Sequence, residues 1–428
     1  MKKTFFIFLI FISLNSFGQE KKTIPIEDFS TYFRETEAAA NKSRNIWGLN
    51  IYGPIMLINP ETRDIYANNK DSIGELRRDG RIYTGVFPKN KNIANTSIHW
   101  NGTAWATVML PLPENKYDRI SLLIHERFHV VQSKLGFIQS NGNCTHLDSK
   151  DGRIYLRLEL EALKKATLAK TTAEKVEHLT NAFIFRKYRQ SLFPESDIEE
   201  NKLELNEGLA EYTGEASCGR PDKQKAEHFI KNIDASMLNP TFIRSFAYQT
   251  IPAYGYLLDK KQRGWNRGIN NNTNLTDFFI TAFQINLPEN LKDVASQLVD
   301  SYNGEIITNE ETIREENRKE LVAEYNHRFI EQPHFEIKFE KMSVSFDPRN
   351  IMPLEGKGTV YPNINVIDQW GVLHVTDGAL MSPDWRKITV TNPTDMNGNK
   401  LSGKGWTLEL NKGYSVVITD GNFGLKKD

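Results

Sequence analysis

The sequence predicts an α+β fold in which a mainly helical region lies between two β-rich regions. From about residue 115 to 332, apolar residues recur at three- and four-residue spacing, which is typical of helices that pack against a core. Before this region, short apolar runs are punctuated by Gly and Pro. From Phe335 onward apolar and polar residues alternate, as in an antiparallel sheet. We therefore expect four regions, which are residues 1–18, 19–114, 115–332 and 333–428.

The composition is that of a folded globular protein without a charge bias. Of the 428 residues, 39% are hydrophobic and 25% are charged, and 54 basic residues balance 54 acidic ones. No basic stretch with interleaved aromatic residues is present, so nucleic acid is not an expected partner. A chain of this length is expected to form about two or three domains.

The first residues have the pattern of a secretory signal peptide. Two lysines precede the apolar run from Phe5 to Ile12, and the small residues Ser16 and Gly18 stand where a signal peptidase reads, so we expect cleavage before Gln19. The apolar run is too short to span a bilayer, and no later stretch approaches the length of a transmembrane helix. We therefore expect an exported protein, either periplasmic or secreted.

A strand is predicted directly before the helical region. The residues from Thr103 to Leu110 are rich in Thr, Val and Trp, and the run is stopped by Pro111 and Pro113. Such a strand could lie at a sheet edge and pair with an extended peptide, or it could be an ordinary strand of the core.

The most specific motif is His125-Glu126-Arg127-Phe128-His129. It lies within an apolar stripe that predicts a helix, with Asn115 or Asp118 as its cap and Gly136 as its end. The stripe consists of Ile120, Ile124, Phe128, Val131 and Leu135.

The spacing of this motif predicts a zinc site. Residues four apart on a helix project from the same face, so His125 and His129 can each give a ring nitrogen to one metal ion, with Glu126 beside them. Zinc needs at least three protein ligands. The extended metzincin pattern is excluded as the source of the third, because Gln132 and Leu135 stand where it requires Gly and His.

Glu207 is the stronger candidate for the third ligand. On a helix predicted from about Glu199 to Thr213, it shares a face with Leu203, Ala210, Glu211 and Gly214. Burying two carboxylates on such a face costs several kcal/mol unless a metal or a hydrogen-bond partner compensates. We also expect the small residues Gly208 and Ala210 to let this helix approach the histidine helix closely.

The alternative third ligand is Glu159, which lies in the interval between the two motifs. It belongs to a helix predicted from Arg153 to Lys170, where a buried carboxylate could instead pair with Arg157 or another arginine. Two capping boxes predict further helix starts in the helical region. They are Thr171 with Glu174, and Thr308 with Glu311.

The segment Asn206-Glu207-Gly208-Leu209-Ala210-Glu211-Tyr212 resembles the N-E-G-F-A signature of gluzincin aminopeptidases, and the acidic residue four positions after the glutamate is similar to the thermolysin branch. The resemblance implies a zincin-like catalytic domain that hydrolyses peptide bonds. It makes Glu207 the third zinc ligand, Glu211 the partner that orients His125, and Glu126 the general base. The interval differs from that of both families, because Glu207 follows His129 by 78 positions.

Catalysis by such a site requires a donor to the developing oxyanion. Zincins usually supply a tyrosine, a histidine or an arginine, and the segment from Arg244 to Tyr256 is a plausible source. Tyr248 is our candidate, with the alternative that it is a core aromatic residue. The expected partner is a peptide or protein substrate. Two other functions are considered: a zinc hydrolase that acts on a non-peptide bond, and a zinc-stabilised binding module without activity. The binding module would have no need of Glu126 as a base.

Two cysteines complete the candidate residues. Cys144 follows the histidine helix and Cys218 follows the Glu207 helix, so both are expected near one end of the metal site in an oxidising compartment. We predict a disulfide between them. The alternative is a pair of unbridged thiols, since spacing along the chain does not place the two Cα atoms within bonding range.

Overall fold

The computed structural model describes residues 26–42, 44–347 and 350–428, and it confirms the α+β fold class. The predicted signal peptide, residues 1–18, lies outside the described residues. Every helix in the described part of the chain is too short or too polar to serve as a membrane-spanning segment.

The helices lie mainly in the middle of the chain. In chain order they are α1 (Ile26–Lys42), α2 (Arg44–Trp47), α3 (Lys116–Val131), α4 (Lys150–Leu168), α5 (Thr172–Leu192), α6 (Ser196–Leu203), α7 (Leu209–Ser217), α8 (Asp222–Ser236), α9 (Ala247–Asp259), α10 (Leu275–Phe283), α11 (Leu291–Leu298) and α12 (Gly304–Asn326). Two π-helical segments are continuous with these helices: Glu204–Gly208 joins α6 to α7, and His327–Glu331 follows α12.

The strands form one sheet before the helical region and two sheets after it. The N-terminal sheet contains β1 (Ile55–Ile58), β2 (Asp64–Ala67), β3 (Arg77–Asp79), β4 (Ile82–Val86), β5 (Thr96–Trp100) and β6 (Thr103–Met109). The C-terminal strands are β7 (His334–Lys338), β8 (Ser343–Phe346), β9 (Met352–Leu354), β10 (Gly358–Tyr361), β11 (Ile364–Asp368), β12 (Gly371–Val375), β13 (Ala379–Met381), β14 (Lys387–Thr391), β15 (Asp395–Asn397), β16 (Lys400–Gly403), β17 (Trp406–Leu410), β18 (Tyr414–Thr419) and β19 (Asn422–Lys427).

The N-terminal region decides between the two positions left open for the strand predicted from Thr103, and it contains a helix that was not predicted. Its strand order is β3-β4-β2-β1-β6-β5, so β6, the strand predicted from Thr103, is an inner strand and β5 is the edge strand beside it. The region also contains the helix α1, whose buried Phe29 and Phe33 pack against Ile55 and Leu57 of the sheet. The sequence of the loops does not indicate which strand lies at the edge of the sheet.

The C-terminal region consists of two sheets whose inner faces share one core. In β12 and β17 buried and exposed residues alternate, as the sequence pattern predicted. The strand orders are β18-β19-β7-β14-β13-β10-β9 and β15-β16-β17-β12-β11-β8. The pairing in this region is antiparallel, as predicted, apart from β19, which pairs with β7 in parallel through Phe423 and Phe335.

Several helix boundaries agree with the local signals in the sequence. Asn115 caps α3 through its side chain, and Gly136, in the left-handed conformation with φ 85°, ends the turn that follows this helix. Thr171 and Glu174 form the predicted capping box of α5. The box predicted at Thr308 is wrong, because α12 begins earlier, at Gly304, and the motif lies inside the helix.

Candidate metal centre

The helix α3 presents His125, Glu126 and His129 at the base of a cleft. Its apolar side is fully buried, with Ile124 and Phe128 both 0% exposed, and this packing fixes the direction in which the motif projects. His125 is 4% exposed and Glu126 is 5% exposed, so the motif lies inside the protein rather than on a solvated helix face.

Glu207 comes from the π-helical segment Glu204–Gly208, which interrupts the predicted helix. A π-helical turn carries one residue more than an α-helical turn and is frequent at functional sites. Gly208 lies against α9, where a Cβ atom on residue 208 would lie 2.6 Å from Cγ1 of Ile251. The close approach of α7 to α3 depends instead on Gly214, where a Cβ atom would lie 2.6 Å from the carbonyl oxygen of Ser121. The expectation that Gly208 faces the histidine helix is therefore wrong.

His125, His129 and Glu207, which we call the metal cluster, bring three ligand atoms together. Nε2 of His125 lies 3.1 Å from Nε2 of His129. Oε2 of Glu207 lies 3.5 Å from the first of these nitrogens and 3.3 Å from the second. Zinc ligands at about 2.0–2.1 Å in a tetrahedron are separated by about 3.3–3.4 Å, so the three distances fit one zinc ion.

The Nδ1 atoms of both histidines also have hydrogen-bond partners. Nδ1 of His125 lies 2.8 Å from Oε2 of Glu211, which agrees with the orienting role that the resemblance implies for this carboxylate. Nδ1 of His129 lies 2.9 Å from Oε1 of Gln132. These contacts direct both Nε2 atoms towards Glu207, as a metal-binding pair requires.

Gln132 was missed as a functional residue. Its side chain is 0% exposed, and its Nε2 donates to Oδ1 of Asn206 at 3.2 Å and to the carbonyl oxygens of Asn206 and Leu205 at 3.3 and 3.4 Å. It therefore connects His129 to the segment that carries Glu207. Its position three residues after His129, on the same helix face, was a signal in the sequence that could have identified it.

Glu126 has a free oxygen in this site. Its Oε2 atom is buried and has no hydrogen-bond partner among the described residues, and the side chain lines the cleft. An unpaired buried carboxylate oxygen is costly and therefore uncommon away from functional sites. Burial raises the pKa of Glu126, because its charged form loses hydration.

The pKa values of His125 and Glu207 shift in opposite directions. Burial alone would lower the pKa of His125, but its hydrogen bonds with Glu207 and Glu211 outweigh burial and hold this pKa well above its ordinary value. Burial alone would raise the pKa of Glu207, and hydrogen bonds with His125 and His129 hold it well below its ordinary value. The surroundings of Glu207 therefore stabilise its negative charge, as a bound cation would also do.

Tyr248 of α9 lies at the metal cluster. Its ring is stacked on that of His125, with centroids 5.5 Å apart, and its hydroxyl donates to Oε2 of Glu207 at 2.6 Å. Burial raises the pKa of Tyr248 well above its ordinary value, and the charge of Glu207 adds to this effect. The alternative of a core aromatic residue away from the site is excluded, while the role of Tyr248 as an oxyanion donor stays a prediction.

Two cavities meet at the metal cluster. The cleft, of about 450 Å³, is lined by the start of β5 and by the C-terminal strand β8. A neighbouring groove, of about 840 Å³, continues between the N-terminal region and the C-terminal sheet. Both are lined by His125, Glu126 and Tyr248. The C-terminal region therefore forms part of the wall of the site: Oγ of Ser345 in β8 donates to the carbonyl oxygen of Ile93 at 3.2 Å.

Glu159 does not reach the metal cluster. It is 0% exposed and forms ion pairs with Arg186 and Arg189 at 2.8 and 2.7 Å, as the alternative interpretation of this residue expected. Together with Glu200 and Glu204 these residues form a buried group that we call the ionic network.

The predicted disulfide is wrong. Cys144 and Cys218 are free thiols, both buried, and they belong to different hydrophobic clusters. Cys218 instead donates its thiol to the carbonyl oxygen of Glu215 at 3.3 Å. Burial raises the pKa of Cys144 well above its ordinary value, which is the behaviour of an unreactive packing residue.

The chain matches no model of a known protein family, no curated protein and no solved structure. The resemblance to gluzincins is confined to the segments His125–His129 and Asn206–Tyr212. What the site can do chemically therefore has to follow from its own geometry.

Proposed function

We propose that this protein is an exported zinc-dependent peptidase that uses Glu126 as its general base. The observation that carries the proposal is the free, buried Oε2 atom of Glu126, which lines the cleft beside three ligand atoms at zinc-binding separation. A zinc site that only stabilises a fold is usually closed by four protein ligands and needs no adjacent base. Here two histidines and one carboxylate leave a coordination position for water or substrate.

His125, His129 and Glu207 would hold the zinc ion. When bound there, zinc would polarise a substrate carbonyl and make a water molecule more acidic. Glu126 would take a proton from the attacking water at Oε2 and deliver it to the nitrogen of the leaving amine as the peptide bond breaks. The hydroxyl of Tyr248 contacts the carboxylate of Glu207. It would donate a hydrogen bond to the oxygen on which negative charge develops.

The shape of the site supports an extended substrate. The strand β5 pairs only with β6 within the described part of the chain, so its other edge is free to pair with a peptide backbone. Thr96 and Ser97 of this strand line the cleft. Backbone pairing at this edge would bind a peptide without requiring a particular sequence, and the groove on the far side of the metal cluster gives room for the chain to continue.

The test compares wild-type protein with Glu126→Gln. This change keeps the shape and all three proposed ligands but removes the base, so zinc content should be unchanged while peptide hydrolysis falls by about 10²- to 10⁴-fold. Digestion of a diverse peptide library, together with metal analysis, measures both quantities. Glu114→Gln is the matched control, because Glu114 is an exposed residue just before α3. Wild-type protein that is fully loaded with zinc and cleaves no peptide would contradict the proposal.

A further inference from the structure

Arg244 is an arginine of the helical region whose guanidinium has few contacts with the described residues. It is partly buried, and its hydrogen bond is a long one, 3.4 Å, to the carbonyl oxygen of Gly142. No ion pair joins it to any residue that the structure describes. By contrast, the buried Arg127 of this region donates to the carbonyl oxygens of Ile51 and Pro54, and five other buried arginines each pair with a glutamate or an aspartate. They are Arg153, Arg157, Arg186, Arg189 and Arg220.

The position of Arg244 places its charge in the cleft. It is the one arginine or lysine among the described residues that line this cavity, and apart from the metal cluster and Glu126 the other lining residues are neutral. The neighbouring groove contains Arg63, but carbonyl oxygens of Phe87, Pro88 and Lys91 already occupy that guanidinium. The groove is also lined by the exposed Lys89, so Arg244 is the cation available to a ligand in the cleft itself.

The backbone around Arg244 is firmly held. Ile243 and Ser245 on either side are 3% and 7% exposed, and the hydroxyl of Thr241 donates to Oδ1 of Asp148 at 2.6 Å. Gly142, which accepts the bond from Arg244, is itself packed so closely against Glu199 that it cannot carry a Cβ atom. A side chain that extends from a held backbone has less freedom to lose when a ligand binds, which lowers the entropy cost of binding.

We propose that Arg244 is the residue with which the cleft recognises a carboxylate of the substrate. A guanidinium presents paired N–H donors that match the two oxygens of a carboxylate, and a partly dehydrated cleft strengthens this interaction. The substrate class is thus a peptide that carries an acidic side chain, or a free C-terminal carboxylate, on the Arg244 side of the metal cluster. This inference rests on the proposed peptidase function and adds its specificity.

The experiment measures peptide binding to zinc-loaded Glu126→Gln protein, which should bind substrates without consuming them. Peptides that differ only by Glu or Gln at each successive position are compared, and a second series compares a free C-terminus with a C-terminal amide. At one position the carboxylate form should bind about 10- to 100-fold more tightly, the range for a hydrogen bond to a charged group. The series in which the preference occurs identifies the source of the carboxylate.

Adding Arg244→Gln should remove this preference, and Arg244→Lys should retain part of it, because lysine keeps the charge but not the paired donors. Zinc content should be unchanged in both variants. Arg386→Gln is the control for loss of a positive charge, since the side chain of Arg386 is 84% exposed and lies in the C-terminal region. It should leave the preference intact.

The outcomes separate this inference from the proposed function. If wild-type protein hydrolyses peptides but binds the Glu and Gln forms equally at every position, the role of Arg244 is overturned and the peptidase proposal stands. The same holds if Arg244→Gln keeps the full preference. If zinc-loaded wild-type protein hydrolyses no peptide and the Glu126→Gln variant binds none, both proposals fail.

Discussion

The metal cluster and the ionic network both contain glutamate carboxylates, partly buried in the cluster and fully buried in the network, and they balance this charge in different ways. In the ionic network, Glu159 and Glu204 face Arg186 at 2.8 Å each, and Glu200 faces Arg189 at 2.9 Å. In the metal cluster, the described contacts of the Glu207 carboxylate are with two histidines, a tyrosine and an asparagine, and none is with a lysine or an arginine.

The difference shows which region has the opposite charge supplied by the arginines of the chain. A buried carboxylate that lacks an opposite charge is expensive, and it either takes up a proton or acquires a cation. The ionic network is complete as the chain folds, because its arginines supply the opposite charge. The metal cluster has only histidines, whose ring nitrogens can carry protons or bind a metal ion. The two regions are joined by the π-helical segment, which carries Glu204 at its start and Glu207 near its end.

The largest effect is expected from Glu159→Ala. This change leaves Arg186 and Arg189 buried with one carboxylate fewer, so the free energy of unfolding should fall by about 3–5 kcal/mol, as it does when one partner of a buried ion pair is lost. Urea unfolding measures this loss. Zinc bound per folded molecule should stay at the wild-type level, because Glu159 contacts neither histidine of the metal cluster.

The matched variant is Glu207→Ala, which should show the reverse pattern. It removes a ligand, so zinc affinity should fall by more than the roughly 10- to 100-fold typical for loss of a ligand's outer hydrogen-bond partner. Zinc affinity that falls further in Glu159→Ala than in Glu207→Ala would assign the ligand role to Glu159 and contradict the separation of the two regions.

An intermediate effect is expected from the residues that orient the histidines. Glu211→Gln weakens the acceptor for Nδ1 of His125, and Gln132→Met removes the acceptor for Nδ1 of His129. Each change should lower zinc affinity by about 10- to 100-fold, measured by competition with a chelator. Gln224→Met, an exposed change on α8, is the control. Unchanged affinity in both variants would mean that the ligands are held by packing alone.

The parts of the site that the sequence predicted correctly are the local ones. His125 and His129 share a helix face whatever the rest of the fold does, and the caps at Asn115 and Thr171 depend on contacts two or three residues away. Glu207 was identified because an acidic residue on an apolar face requires a partner. Each of these inferences needs only the period of one helix and the cost of burying a charge.

The parts that could not be predicted depend on contacts distant in sequence. The order of β5 and β6 in the sheet is decided by tertiary pairing, and neither strand carries a local signal for an edge. The π-helical segment adds a residue that an α-helical period does not include, so the direction of Gly208 was wrong. The exclusion of a disulfide likewise depends on where the fold places Cys144 and Cys218.

The smallest effect is expected from Thr250→Val, a change that tests whether the two regions are independent. Oγ1 of Thr250 donates to Oε1 of Glu204 at 2.7 Å, and both residues are 0% exposed. Arg186 donates to both oxygens of this carboxylate at 2.8 and 3.0 Å, so the charge of Glu204 stays paired when the hydroxyl is lost.

The free energy of unfolding of Thr250→Val should therefore fall by only about 0.5–1.5 kcal/mol, the net contribution of a typical hydrogen bond. Zinc affinity should remain that of wild type, because Arg186 still fixes Glu204 and with it the start of the π-helical segment. Thr250→Ser, which keeps the hydroxyl, is the control. A tenfold loss of zinc affinity in Thr250→Val but not in Thr250→Ser would show that the ionic network positions Glu207. The two regions would then act as one unit, and the network's arginines would belong to the metal site.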